Sequence, residues 1–196
     1  MITKTLLLDS RTDDPRVAIR RALDAVNVAC GLTLADDGCE TVDDVTYTVW
    51  TDDVDGATET SWVRLVDDAP ARARYLELHA VDDVVLAALR DAIFAEVPVL
   101  SYAEIDAAVR ADHSLVSWLG HGGHERPFDA AVVPLIESAM ASSHPDVVAQ
   151  AQVTIFLLRW KLLLPLVERA RAQTTSPTQK AALQAIITAS ADWTDG

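Results

Sequence analysis

The sequence predicts an α+β fold: an antiparallel sheet with two helices over residues 1–100, then an all-α part over 101–196. Three observations carry this. Period-two alternation of apolar and polar residues is confined to the first hundred residues. From Tyr102 onward the apolar residues recur only at helical spacing. Two segments of the second part also open alike, with hydroxyl residues ahead of a proline, at Ser142-Ser143-His144-Pro145 and Thr174-Thr175-Ser176-Pro177.

Taken in order, residues 3–8 are apolar, stop at Asp9-Ser10 and read as a first strand. Asp13-Asp14-Pro15 then opens a helix, with acids at the positive end of its dipole. Val17, Ile19, Ala22, Leu23, Ala25, Val26 and Val28 are expected on its apolar side, Arg16, Arg20 and Arg21 on the other, and Gly31 at its C-cap. Residues 36–44 read as a polar, acidic connection. Strands are predicted at 45–51, 61–66 and 74–80, each alternating, with turns at 52–56 and 67–70 between them. That pattern argues an antiparallel meander. Asp82-Asp83 caps a helix running to residue 95, with Val85, Leu86, Leu89 and Ile93 inward and Pro98 closing it.

The second part reads as helices over 102–111, 114–119, 129–141, 147–159, 162–172 and 179–191, with a frayed tail at 192–196. Pro145 and Pro177 lie 32 residues apart. Each leads an apolar run (147–158 and 181–187), and 162–172 lies between them. Residues 128–191 thereby resemble HEAT-like α-helical repeats. The resemblance implies stacked helix pairs, and repeats of that kind act as protein-binding scaffolds. No family resemblance is read in residues 1–100.

Charge is the most informative total. Up to Asp112 the chain carries 23 acids against 10 bases, and beyond it 7 against 6, so nearly all of the net −14 sits in the first part. Between Asp36 and Asp68 there are 11 acids and one base, Arg64. Phosphate recognition needs the opposite sign, so nucleic acid is excluded as a partner, and anionic membrane surfaces are disfavoured for the same reason. The longest apolar run, 153–167, is broken by Arg159, Lys161 and Pro165, so no membrane span is expected. The first nine residues are too short and too soon acidic for a signal peptide. Cys30 and Cys39 read as reduced thiols rather than a disulfide framework. The expectation is a cytoplasmic protein.

Standard catalytic patterns are missing: the sequence has no GxSxG, Walker loop or GxGxxG, and no cysteine in a recognisable histidine context. His121-Gly122-Gly123-His124-Glu125 offers two imidazoles and a carboxylate that zinc accepts, but the glycines read as a polar, flexible interhelix turn. Thr51-Asp52-Asp53-Val54-Asp55-Gly56 is similar to part of a calcium loop, yet Thr51 stands at the first ligand position and Trp62 where a bidentate glutamate is needed. A hairpin turn is the better reading. No cofactor and no metal is expected, and an enzyme is the weaker reading.

What remains is a surface. Asp36, Asp37, Asp43, Asp44, Asp52, Asp53 and Asp55 are expected to form one exposed negative face beside Trp50 or Trp62, whose rings would serve as rigid interface anchors. The leading expectation is a non-enzymatic module that binds a basic protein. Its sharpest version is an immunity-type inhibitor that neutralises a basic bacterial toxin such as a nuclease, whose active site is basic because it holds phosphate. The richness in Ala, Val, Asp and Arg fits a bacterial source. The alternatives are a helical-repeat scaffold or adaptor and, further off, a metal-dependent enzyme centred on His121 and His124.

Overall fold

The alternating runs pair into one five-stranded antiparallel sheet. The computed structural model describes residues 2–9, 14–52, 60–123 and 126–193. Its strands are β1 (Ile2–Leu7), β2 (Leu34–Val42), β3 (Val45–Asp52), β4 (Trp62–Asp68) and β5 (Ala73–Ala80). They lie in the order β1-β5-β4-β3-β2, so β2 to β5 form a meander and β1 adds beyond β5. Helix α1 (Arg16–Cys30) links β1 to β2, and α2 (Asp83–Glu96) follows β5. The chain divides into two compact units, Met1–Leu100 and Ser101–Gly196.

In the first unit, α1 and α2 pack on one face of the sheet. Ile19, Leu23 and Val26 of α1 and Val85, Leu89 and Ile93 of α2 share a core with Leu6, Leu34, Trp50, Val63, Leu65, Leu76 and Leu78. Each such side chain, fully buried, contributes about 1.5–3 kcal/mol of transfer free energy. The α1 face is narrower than the sequence suggests. Val17 and Val28 are 66% and 88% exposed, and Ala25 is exposed as well. Val17 and Val28 each stand two residues from a buried position, about 200° round the helix, so they cannot share its inward stripe. Gly31 ends α1 with φ 69°, in the left-handed region that favours glycine. Asp82 caps α2 by accepting from the Val85 N–H at 2.8 Å.

The expected acidic connection at 36–44 is instead a strand and its turn. β2 runs antiparallel to β3, from Leu34 opposite Asp52 to Val42 opposite Val45. Asp43 and Asp44 form a two-residue hairpin loop, with φ 49° and 64°. Positive φ at both loop residues is what a tight hairpin requires, and aspartate is among the residues that tolerate it. Pairing with β3 outweighs the poor strand propensity of Asp and Gly.

The second unit contains α3 (Tyr102–Ala111), α4 (Ser117–Gly123), α5 (Val133–Met140), α6 (Pro145–Leu158), α7 (Leu164–Gln173) and α8 (Pro177–Ala189). Short 3₁₀ turns occur at His113–Leu115, Lys161–Leu163 and Ser190–Asp192. Among the described residues, strands are confined to the first unit. Ser101 and Glu104 start α3 with a reciprocal capping box. Pro145 and Pro177 are the first residues of α6 and α8. Ser176 caps α8 through the Gln179 N–H, whereas the α6 cap position falls on His144, whose side chain caps nothing.

Helix α6 packs against α4, α5 and α8. Residues 117–123, expected partly as a flexible turn, form α4. Its glycines serve close approach: a Cβ on Gly120 would lie 3.0 Å from the Thr154 Cα of α6, and one on Gly122 would lie 2.3 Å from the Ile105 Cδ1 of α3. Trp118, Trp160 and Trp193 are buried.

Candidate functional site

The acidic residues gather on β2, which lies at the sheet edge. Every residue from Ala35 to Val42 is exposed. The strand is held at its start by side chains. The Asn27 amide of α1 pairs with the backbone of Leu34 in both directions, accepting from its N–H at 2.9 Å and donating to its carbonyl at 3.1 Å. Asp52 accepts the Thr33 N–H at 2.7 Å and the Thr33 hydroxyl at 2.8 Å. A bulge follows between Asp36 and Gly38. There the Asp36 carboxylate accepts the Gly38 N–H at 3.0 Å, and Asp37 accepts the Thr51 hydroxyl at 3.1 Å.

Of the residues singled out by sequence, Asp36, Asp37, Asp43 and Asp44 are exposed, the first pair near the start of β2 and the second in the turn after it. Glu40, which sequence reasoning passed over, stands among them and is exposed. Trp50 and Asp52 do not belong to the surface. Trp50 is 2% exposed, because the alternation of β3 turns it toward α1 and α2. Asp52, on the same parity, is 6% exposed and committed to Thr33. Asp53 and Asp55 lie outside the described residues.

Trp62 stands on the opposite face of the sheet from the two helices. Thr51 of β3 is its register partner, and Thr51 in turn bonds Asp37, so Trp62 stands on β4, two strands in from the acidic β2 edge. Its ring stacks on His79 with centroids 4.9 Å apart and planes 8° apart. The Arg64 guanidinium lies over Trp62 at 5.3 Å and over Tyr47 at 5.4 Å, and pairs with Glu77. This arrangement presents an aromatic surface whose one cation is already matched by a carboxylate.

The remaining candidates fall elsewhere. His121 is half-buried on α4, His124 and Glu125 are outside the described residues, and the His113 ring bonds the Ser138 hydroxyl at 3.2 Å. Among the described residues no group of three His, Cys, Asp or Glu side chains is placed to hold a metal ion. Cys30 and Cys39 are both unbridged. No described helix is long and apolar enough to cross a membrane. No protein-family model, no curated protein and no solved structure matches the chain.

An edge strand lined by carboxylates is the kind of element that can take a further strand from another chain. The signal for the edge was present in Val42-Asp43-Asp44-Val45, two β-branched residues flanking a two-residue turn.

Proposed function

We propose that the chain is a non-enzymatic, cytoplasmic binding module whose acidic β2 edge engages a basic protein. In its sharpest form it is an immunity-type inhibitor that covers the phosphate-binding surface of a basic bacterial toxin such as a nuclease. One observation carries the reading: Asp36, Asp37, Glu40, Asp43 and Asp44 are exposed on a single edge strand and its turn, with no Lys, Arg or His from Thr33 to Val63. Carboxylates concentrated without counter-charge raise the association rate of a cationic partner and make it salt-dependent. Trp62, two strands in on β4, supplies the kind of aromatic anchor on which interfaces concentrate their energy.

The test compares wild type with Asp36→Asn/Asp37→Asn/Glu40→Gln. Both are used to capture proteins from the source organism, and association with the captured basic protein is timed at low and high salt. The expected result is association slowed about tenfold at low salt with a flattened salt dependence. Association rates that are unchanged across salt would place these acids as solubilising groups and move the binding surface to the helical unit.

A further inference from the structure

Within the helical unit, α5, α6, α7 and α8 enclose an open bowl of about 510 Å³, a volume in the range of small-molecule sites. Met140, Val148, Leu166 and Leu183 give it an apolar lining. Gln152 of α6 also lines it. That side chain is 9% exposed, and its Nε2 is buried without a hydrogen-bond partner. Buried polar atoms are nearly always paired, so an orphan facing a cavity points to a group that arrives from outside.

Of the other polar side chains around the bowl, the exposed Gln173 aside, Glu137, Ser142, Arg169, Thr174 and Gln179 have partners. Arg169 pairs with Glu137 at 2.5 Å, the Thr174 hydroxyl donates to Gln179 Oε1 at 2.5 Å, and the Ser142 hydroxyl accepts the His144 N–H at 3.1 Å. A charged ligand would have to break the Arg169–Glu137 pair to find its counter-ion. A neutral ligand need only satisfy Gln152. A carboxamide does this best, because its carbonyl accepts from Nε2 while its own N–H can donate to Oε1, a reciprocal amide pair. We propose that this bowl binds a neutral carboxamide carrying a branched aliphatic body, with the amide on Gln152 and the body against Met140, Val148, Leu166 and Leu183. The site is independent of the acidic edge.

The test uses 4-methylpentanamide as the probe and 4-methylpentylamine, whose ammonium only donates, as its control. Each is titrated into the full ¹⁵N-labelled chain. The expected result is saturable shifts of the Gln152 side-chain amide with the carboxamide and none with the amine. Gln152→Leu is expected to weaken carboxamide binding at least about tenfold without lowering Tm, since it removes an unpaired buried group and keeps the volume. Equal shifts from both probes, or carboxamide binding that survives in Gln152→Leu, overturns the proposal. A lower Tm in Gln152→Leu does so too, because it would show that the chain itself satisfies the amide. Should Gln152→Leu not fold, Ala170→Phe fills the bowl from α7. Loss of the shifts in that variant supports the site, and their persistence overturns it.

Discussion

The Asp52 carboxylate takes both the backbone N–H and the hydroxyl of Thr33, at 2.7 and 2.8 Å, from a position only 6% exposed. This pair, with the Asn27–Leu34 amide bonds, fixes where β2 begins and so sets the register of the acidic edge. Asp52→Ala leaves both Thr33 donors without their acceptor. It is expected to lower stability by about 1–2 kcal/mol, as for loss of charge-assisted bonds at a half-buried site, since the exposed Thr33 can turn to water. Urea denaturation decides the matter. A midpoint shift worth under about 0.5 kcal/mol would mean that Asp52 behaves as an ordinary surface acid.

Where patterning and burial agree, the sequence was readable. Leu76 and Leu78 alternate with Tyr75, Glu77 and His79 because one face of β5 meets two helices, and residues 102–111 are helical as their spacing predicts. The reading failed where an element lacks an apolar face. β2 buries Leu34 and then only exposed residues follow, so its strand character resides in backbone pairing with β3 that no hydropathy pattern records. Helix α4 was read only as far as residue 119, for the converse reason. Gly120 and Gly122 resemble loop residues, but their lack of a side chain serves the approach of α6 and α3. The candidate surface was half legible. The acids at 36, 37, 43 and 44 were found, whereas Trp50 was misplaced because alternation gives two faces without saying which one the helices cover.

The hairpin loop separates stability from binding. Asp43 and Asp44 both adopt positive φ, a conformation that Asn-Gly occupies with less strain. Asp43→Asn/Asp44→Gly should therefore raise stability by about 0.5–1 kcal/mol, in the range of compatible turn substitutions. The same change removes two carboxylates from the edge. If the acids serve a basic partner, association slows even as Tm rises. A variant that is more stable and binds as fast as wild type would remove this turn from the proposed surface.

Gly120 sets the distance between α4 and α6. Alanine at a helical position ordinarily gains about 1 kcal/mol over glycine. Here its Cβ would sit 3.0 Å from both Thr154 Cα and Leu157 Cδ1. Leu157 can rotate away, but the Thr154 backbone belongs to a packed helix, and overpacking of that kind costs about 1–3 kcal/mol. Gly120→Ala is expected to be net destabilising by about 1 kcal/mol, read from thermal or urea unfolding. A stabilised Gly120→Ala would show that α4 and α6 separate freely.

Alkaline pH probes the sheet and the helical unit together. Burial raises the Tyr75 phenol well above its ordinary value, and the negative charges of Glu77 and Asp68 push in the same direction. Tyr102 is also raised, by burial first and by Asp129, while Arg126, 3.9 Å over its ring, acts in the opposite sense. A phenol is neutral when protonated, so a raised folded-state value means that the native chain holds the proton longer than the unfolded one. Its stabilising effect is full below the unfolded value, about 10, and is lost as pH climbs from there toward the folded value. Stability should thus hold with respect to these two groups up to about pH 10 and then fall, each phenol adding a slope of up to about 1.4 kcal/mol per pH unit. Tyr75→Phe keeps the ring and removes the titration, so its unfolding midpoint should decline less steeply than wild type above pH 10, whatever its stability at neutral pH. Phenolate absorbance followed on the native chain should show late-ionising tyrosines that titrate normally once urea is added. Identical alkaline slopes for wild type and Tyr75→Phe would show that the Tyr75 ring is open to solvent in the native protein.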